Sequence, residues 1–273
     1  MAFDLHLHLC LLITAITVSV ASSLVLLAYL KRKINTPAFI GTLILGVLIL
    51  LMLGLEFGYA GLLALLAFFI LGNLVTRYKY EEKALLGVAE SNKGMRDISN
   101  VLGNGLSPLI FAVLYALSSQ NQNYSHNTLF LLGFAGSVAT ACADTFSTEI
   151  GQTSGEPRLI TTLKKVPVGT NGGVSLAGLG AALLGSSLIS VVCLVFVFAG
   201  SNASVQIGVI FFIVCVLAGV LGCIADSIFG ATIEDKYKDK LFVNLNKHHV
   251  NILATLTGGI IAILLGYSFG VQI

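Results

Sequence analysis

Charge is what this chain lacks. Only 10% of its 273 residues are Asp, Glu, Lys or Arg, whereas a soluble globular domain is normally ~25% charged. With 56% hydrophobic residues and a mean hydropathy of +0.94, that scarcity excludes a water-soluble enzyme, a disordered chain and a fibrous repeat. Strict polar–apolar alternation is also missing. Runs such as 43–55 and 188–199 are apolar throughout apart from Ser190, which excludes a transmembrane β-barrel. Metal-ligand spacing is absent from the cysteines, since Cys10, Cys142, Cys193, Cys215 and Cys223 all sit in apolar runs and read as small buried hydrophobes. No internal repeat is evident. What remains is an all-α polytopic integral membrane protein, whose helices satisfy their own backbone hydrogen bonds in lipid.

About eight transmembrane helices are expected, at 5–30, 38–55, 58–75, 101–118, 128–150, 174–200, 205–231 and 249–268, each near the ~20 apolar residues that a span requires. The first is long and is followed, not preceded, by the basic run Lys31-Arg32-Lys33. It therefore reads as a retained helix rather than a signal peptide. All 15 Lys and Arg fall in the loops after the first, third, fifth and seventh spans. The alternate connections have none. That segregation predicts an even number of spans, both termini outside and every basic loop in the cytoplasm. Asn123-Tyr124-Ser125 is a formal glycosylation sequon on the outer side, read as a chance tripeptide. Residues 1–75 are Leu-rich with almost no polar side chains inside the spans, and read as hydrophobic anchor helices. Residues 76–273 read as the catalytic membrane domain, a single helical bundle.

Ionisable residues inside a membrane are costly and usually functional. Asp144 and Glu149 lie near the end of the fifth span and Asp226 near the end of the seventh, so all three sit at the cytoplasmic end. Asp144 and Glu149 are about 140° apart on a straight helix. They can share an ion only if the helix distorts or Glu149 lies past its end, near Gly151. Arg96, Asn100 and Asn104, at i, i+4 and i+8, enter the fourth span on one face. The loop 155–175 carries Arg158, Lys164 and Lys165 and then the turn Thr170-Asn171-Gly172-Gly173-Val174-Ser175. Backbone N–H groups at a Gly-rich turn and helix start bind phosphate, and the cations add matching charge. The spacing is not that of a P-loop. Carboxylates with amide and hydroxyl oxygens suit Mg²⁺, which often keeps one or two carboxylates plus substrate phosphates. The pattern describes phosphoryl chemistry on a lipid at the cytoplasmic interface.

Several motifs in order, from about residue 71 to the C-terminus, resemble one family. They are Thr76-Arg77-Tyr78-Lys79, Arg96-x3-Asn100-Val101-x2-Asn104-Gly105, Ala143-Asp144-Thr145-x3-Glu149-x-Gly151, Pro157-Arg158-Leu159-Ile160-Thr161-Thr162, Val166-Pro167-x-Gly169-Thr170-Asn171-Gly172-Gly173-Val174-Ser175 and Asp226-Ser227-x2-Gly230-Ala231-Thr232. The family contains transmembrane protein 19 and the plant and cyanobacterial phytyl-phosphate kinases, domain of unknown function family 92. The resemblance implies an isoprenyl-phosphate kinase. It would pass the terminal phosphoryl of a nucleoside triphosphate, CTP being the expected donor, to phytyl, geranylgeranyl or farnesyl phosphate, giving a prenyl diphosphate.

The expected roles follow. Asp144, Glu149 and Asp226 are catalytic and hold Mg²⁺. Arg158, Lys164, Lys165, Thr170, Asn171, Gly172, Gly173 and Ser175 hold nucleotide phosphates. Arg96, Asn100, Asn104 and Asn251 hold the prenyl phosphate, Asn251 lying in the Val250-Asn251-x2-Ala254-Thr255 run that opens the last span. The preceding His248-His249 departs from the family pattern and is expected to be solvated or headgroup-facing, not metal-binding. Expected partners are the membrane-embedded lipid and the nucleotide, with no nucleic acid and a homodimer permitted. The expected location is the plasma membrane of a prokaryote. Alternatives are a transporter or flippase of a phosphorylated lipid, a lipid-alcohol kinase and a cytidylyltransferase. The Asp-rich pairs of membrane prenyltransferases and the Asp-Gly-x2-Ala-Arg signature of alcohol phosphatidyltransferases are absent.

Overall fold

The computed structural model describes residues 2–120, 124–199, 204–234 and 245–271. The sequon's Asn123 and the basic residues Lys236, Lys238 and Lys240 lie outside the described residues. In chain order the elements are α1 (Ala2–Leu30), α2 (Thr36–Arg77), α3 (Tyr80–Leu85), α4 (Ser91–Gly94), α5 (Ile98–Gln120), α6 (Tyr124–Gly151), β1 (Arg158–Leu159), β2 (Gly173–Val174), α7 (Leu176–Ala199), α8 (Val205–Thr232) and α9 (Lys247–Ser268). Among the described residues, seven helices are long and apolar enough to cross a membrane.

One of the seven crosses twice. As a straight rod, α2 would be about 63 Å long, twice the ~30 Å hydrocarbon core. It is not straight. Gly54 takes φ 68° and ψ −171°, a region open only to glycine, and the helix folds back there. Gly58 lies against the Leu50 carbonyl and Gly46 faces Leu62, contacts that only two antiparallel limbs can make. The hairpin gives eight passes, with limbs matching the expected spans 38–55 and 58–75.

The centre of the bundle is α6, which packs against α2, α5, α7, α8 and α9. Lipid offers no hydrophobic drive between helices, so close packing relies on small residues and polar contacts. Gly136 abuts Ala262, and Thr140 fits between Gly222 of α8 and Gly258 of α9, where a Cβ on either glycine would overlap it. The Thr140 hydroxyl is satisfied within its own helix, donating to the Gly136 carbonyl at 2.8 Å. Between α5 and α9, Thr255 donates to Ser107 at 2.9 Å, and Ser107 donates to the Ile252 carbonyl at 3.0 Å. Meanwhile the outward faces of α1 and α2 leave Leu12, Ile16, Ile44 and Leu51 exposed, as a lipid-facing surface requires.

The basic loops converge on one end of the bundle. Asn35 N–H donates to the Arg96 carbonyl at 3.1 Å, joining the first loop to the second. Lys247 at the start of α9 bonds Glu90 at 3.0 Å. Gly172, between the β-strands, lies against Ser227 and Ala231 of α8.

Candidate active site

At that end a polar cavity of about 430 Å³ opens among α5, α6, α8, α9 and the β1–β2 segment. Two acids from neighbouring helices line it side by side. Asp144 lies seven residues before the end of α6 and Asp226 six before the end of α8, so both are about 10 Å inside the bundle. The adjacent helices bring the two carboxyl groups into direct interaction. The charge of Glu234 reaches both. Asp226 Oδ1 is buried without a hydrogen-bond partner. Two facing carboxyl groups with an unsatisfied buried oxygen cannot both stay ionised cheaply, so they share a proton or a cation joins them. This donor set fits Mg²⁺, which accepts one or two carboxylates and completes its shell with phosphate and water.

Glu149 does not join that pair. The helix runs unbroken to Gly151, so Glu149 stays on another face of α6 rather than past its end. It is 7% exposed, and its carboxylate is ion-paired with the ammonium of Lys83, which is 0% exposed. The same ammonium donates to the Thr76 carbonyl at 2.9 Å. Lys83 thus ties α3 to the ends of α2 and α6, holding Glu149 in the cavity wall. The three expected acids all line the one cavity, but two face each other and the third already has a cation.

Across the cavity stand Arg96, Asn100 and Asn104. Asp97 Oδ1 accepts from the N–H groups of Ser99 and Asn100 at 2.9 and 3.2 Å, fixing the start of α5. Asn104 Nδ2 donates to the Asn100 carbonyl at 3.2 Å. The Arg96 guanidinium rests on Gly72 of α2 and reaches Thr76 Oγ1 with one long bond of 3.4 Å, leaving donors for a ligand. Burial pushes this guanidinium down from its ordinary value, while Glu90 and Glu149 pull the other way.

Thr170, Asn171, Gly172, Gly173 and Ser175 all line the cavity. Gly172 has φ +76° and no room for a Cβ against α8, so glycine is required twice over. Ser175 Oγ accepts from the Gly178 N–H at 3.0 Å, capping α7.

The three loop cations stand elsewhere. Arg158 Nη1 donates to the Leu163 carbonyl at 2.8 Å. Lys165 pairs with Glu156 at 2.6 Å, a contact that holds the Glu156 carboxyl below its usual range, through the hydrogen bond first and the charge second. Arg158, Lys164 and Lys165 are all exposed and none lines the cavity. Strand pairing sets Arg158 opposite Val174, so these cations stand on the outside of the segment whose other residues wall the site.

Further polar side chains line the cavity beyond the expected set, among them Glu90, Gln152, Glu234, Lys247 and His248. Lys247 lines it while bonded to Glu90. His248 is half-buried, lines the cavity and has a buried Nδ1 without a partner, so of the two expected placements, solvated or headgroup-facing, it is not the solvated one. The adjacent His249 turns away and caps the helix, its Nδ1 accepting from the Asn246 N–H at 3.3 Å. The readable signal for His248 was its i,i+3 spacing to Asn251, which shares its helix face and also lines the cavity.

Fold and site together define a polytopic helical membrane protein with a polar chamber sunk into one end of its bundle. The chain belongs to the family described as integral membrane protein DUF92, which matches residues 19–259. It is 36% identical over 252 residues to the uncharacterized membrane protein MJ0933 of Methanocaldococcus jannaschii, covering 92% of this chain and 93% of that one. It is 37% identical over 211 residues to the chloroplastic protein VTE6 of Arabidopsis thaliana, covering 77% of this chain and 59% of that one. An uncharacterized membrane protein of Synechocystis, sll0875, is 32% identical over 245 residues, covering 88% of this chain and 86% of that one. No solved structure matches.

Proposed function

We propose that this protein is a membrane-embedded prenyl-phosphate kinase. The observation that carries the reading is the facing Asp144–Asp226 pair in a cavity that also presents Arg96 and the Thr170–Ser175 turn. The motif resemblance to the phytyl-phosphate kinases, and the similarity to VTE6 over most of the chain, support it. Carboxylates alone would repel a phosphorylated substrate, and cations alone would bind it without assisting transfer. Both at one site suit phosphoryl transfer, where positioning and charge stabilisation do most of the work.

In this reading Arg96, Asn100, Asn104 and Asn251 orient the acceptor phosphate, with His248 beside Asn251 adding a hydrogen-bonding nitrogen. The Thr170–Ser175 turn cradles the triphosphate through backbone N–H groups. Asp144 and Asp226 would hold Mg²⁺, whose charge would offset that of the transferring phosphoryl group. An acceptor phosphate oxygen attacks the terminal phosphorus, the bond to the bridging oxygen breaks, and the nucleoside diphosphate leaves. The acceptor is already anionic near neutral pH, so no general base is required. By the positive-inside rule, the basic end with its cavity faces the cytoplasm.

A lipid transporter would need a polar path through the bundle. Beyond the Asp pair the bundle is filled by aromatic packing: Phe134 meets Phe196 edge-on at 5.6 Å, and Phe211 is fully buried. That closed half favours chemistry at one face. The test is to incubate purified protein with Mg²⁺, CTP or ATP, and prenyl monophosphates, and to resolve the products by chromatography. A prenyl diphosphate is expected. Absence of diphosphate with every donor and acceptor overturns the reading.

A further inference from the structure

We infer that the N-terminal helices hold the isoprenoid tail of the acceptor, so that α1 and α2 form a substrate subsite and not only an anchor. The inference rests on the prenyl-phosphate reading of the polar cavity. A second cavity, of about 170 Å³, lies between α1, the two limbs of α2 and the start of α5. Its wall includes Ala21, Val25, Gly46, Leu50, Leu62 and Phe69. Ser22 and Thr42 are its only polar side chains besides three at its end. Those three are Arg96, Asn100 and Asn104, which line the polar cavity as well. The apolar groove and the polar chamber therefore meet at the residues proposed to hold the acceptor phosphate.

That junction selects an occupant. A ligand spanning both spaces has an anionic head at Arg96 and a purely apolar chain running toward the middle of the bilayer. Ala21 is nine residues from the basic end of α1, and Gly46 is ten from that of α2. Both lie about 14–15 Å deep, so the groove runs lengthwise along the helices. Val47, on its wall, is 55% exposed, so a chain longer than the groove passes out into lipid. Glycine at position 46 leaves room between the limbs, since a Cβ there would only touch Leu62 at 3.4 Å. A large side chain at 46 or 21 would fill the groove while leaving the polar chamber intact.

Two experiments on the full-length protein test this. In the first, geranylgeranyl monophosphate bearing a photoreactive group at its hydrocarbon end is crosslinked to the purified protein in lipid nanodiscs and mapped by mass spectrometry. Adducts within α1 and α2, competed by unlabelled geranylgeranyl phosphate, are expected. Adducts on α7 or α8, or adducts that competitor does not reduce, overturn the inference. In the second, Gly46→Phe and Ala21→Phe are compared with the milder Gly46→Ala across acceptors of different length. Loss of two or more buried methylenes should raise the geranylgeranyl-phosphate KM about tenfold or more. The dimethylallyl-phosphate KM should stay within about twofold, because that tail ends before the block. That retained short-chain activity also reports correct folding. If the wild type makes diphosphates but the Phe variants show unchanged length dependence, the groove assignment fails and the kinase reading stands. If no diphosphate forms but competed adducts map to α1 and α2, the kinase reading fails and the groove stands.

Discussion

Lys83 and Glu149, 66 positions apart, form a buried ion pair whose carboxylate partner lines the cavity. The lysine, in the short helix α3, also holds the Thr76 carbonyl at 2.9 Å. The three groups pin the end of α2, α3 and the last turns of α6 together, and so fix the wall on which Arg96 rests.

Removing one partner leaves the other charged and buried. We expect Lys83→Met and Glu149→Gln each to destabilise the protein by about 3–5 kcal/mol, read as a lowered unfolding midpoint in detergent. The double variant Lys83→Met/Glu149→Leu should recover part of that loss, because no unpaired charge remains. If Glu149→Gln unfolds like the wild type yet has lost turnover, Glu149 is a ligand in the site rather than a brace.

The Asp144–Asp226 pair should behave in the opposite way. Asp144→Asn and Asp226→Asn remove like charge, so without metal each variant should be at least as resistant to unfolding as the wild type. Turnover should fall by about 10²–10³ or more, the scale for losing a charge-stabilising group at a transition state. Variants that unfold readily but turn over normally would make these acids structural.

The cations should divide unequally. Arg96→Ala should mainly raise the prenyl-phosphate KM, and Arg96→Lys should rescue it incompletely if the contact is bidentate. Lys165→Ala removes only an exposed pair with Glu156 and should change either KM by no more than about twofold. Steady-state kinetics with each substrate varied in turn would show this. A large nucleotide effect for Lys165→Ala would bring the β-hairpin cations into the nucleotide site.

Sidedness has its own check. Single cysteines at Lys33 and Lys165 should react with impermeant maleimide only from the cytoplasmic side. One at Glu56, exposed beside the Gly54 fold-back, should react only from outside. Reaction of positions 33 and 165 from opposite sides would break the common end on which the site depends.

Much of this was legible in the sequence because membrane burial writes itself in composition. The spans, the break near Gly54, the common end of the described basic segments and the in-register polar faces of α5, α6 and α8 are local patterns of period and hydropathy. Glu149 and Lys83 were not legible as a pair, because a lysine in a basic loop looks solvated until a distant carboxylate is packed against it. Arg158 and Lys165 failed for a related reason. Their loop does supply cavity-lining residues, but which side of a two-residue strand pair faces the cavity is decided by the docking of Gly172 on α8, not by local sequence. His248 was hidden by its neighbour, since two adjacent histidines look alike until Asn246 takes one of them as a cap.

The most direct measurement follows the terminal phosphoryl group. Purified wild-type protein and the Asp144→Asn variant would be given CTP labelled at its terminal phosphorus, Mg²⁺ and geranylgeranyl phosphate. The proposed chemistry predicts label in the outer phosphate of geranylgeranyl diphosphate for the wild type, with almost none for the variant. Label released only as inorganic phosphate, or lipid moved across the bilayer without becoming labelled, would contradict it.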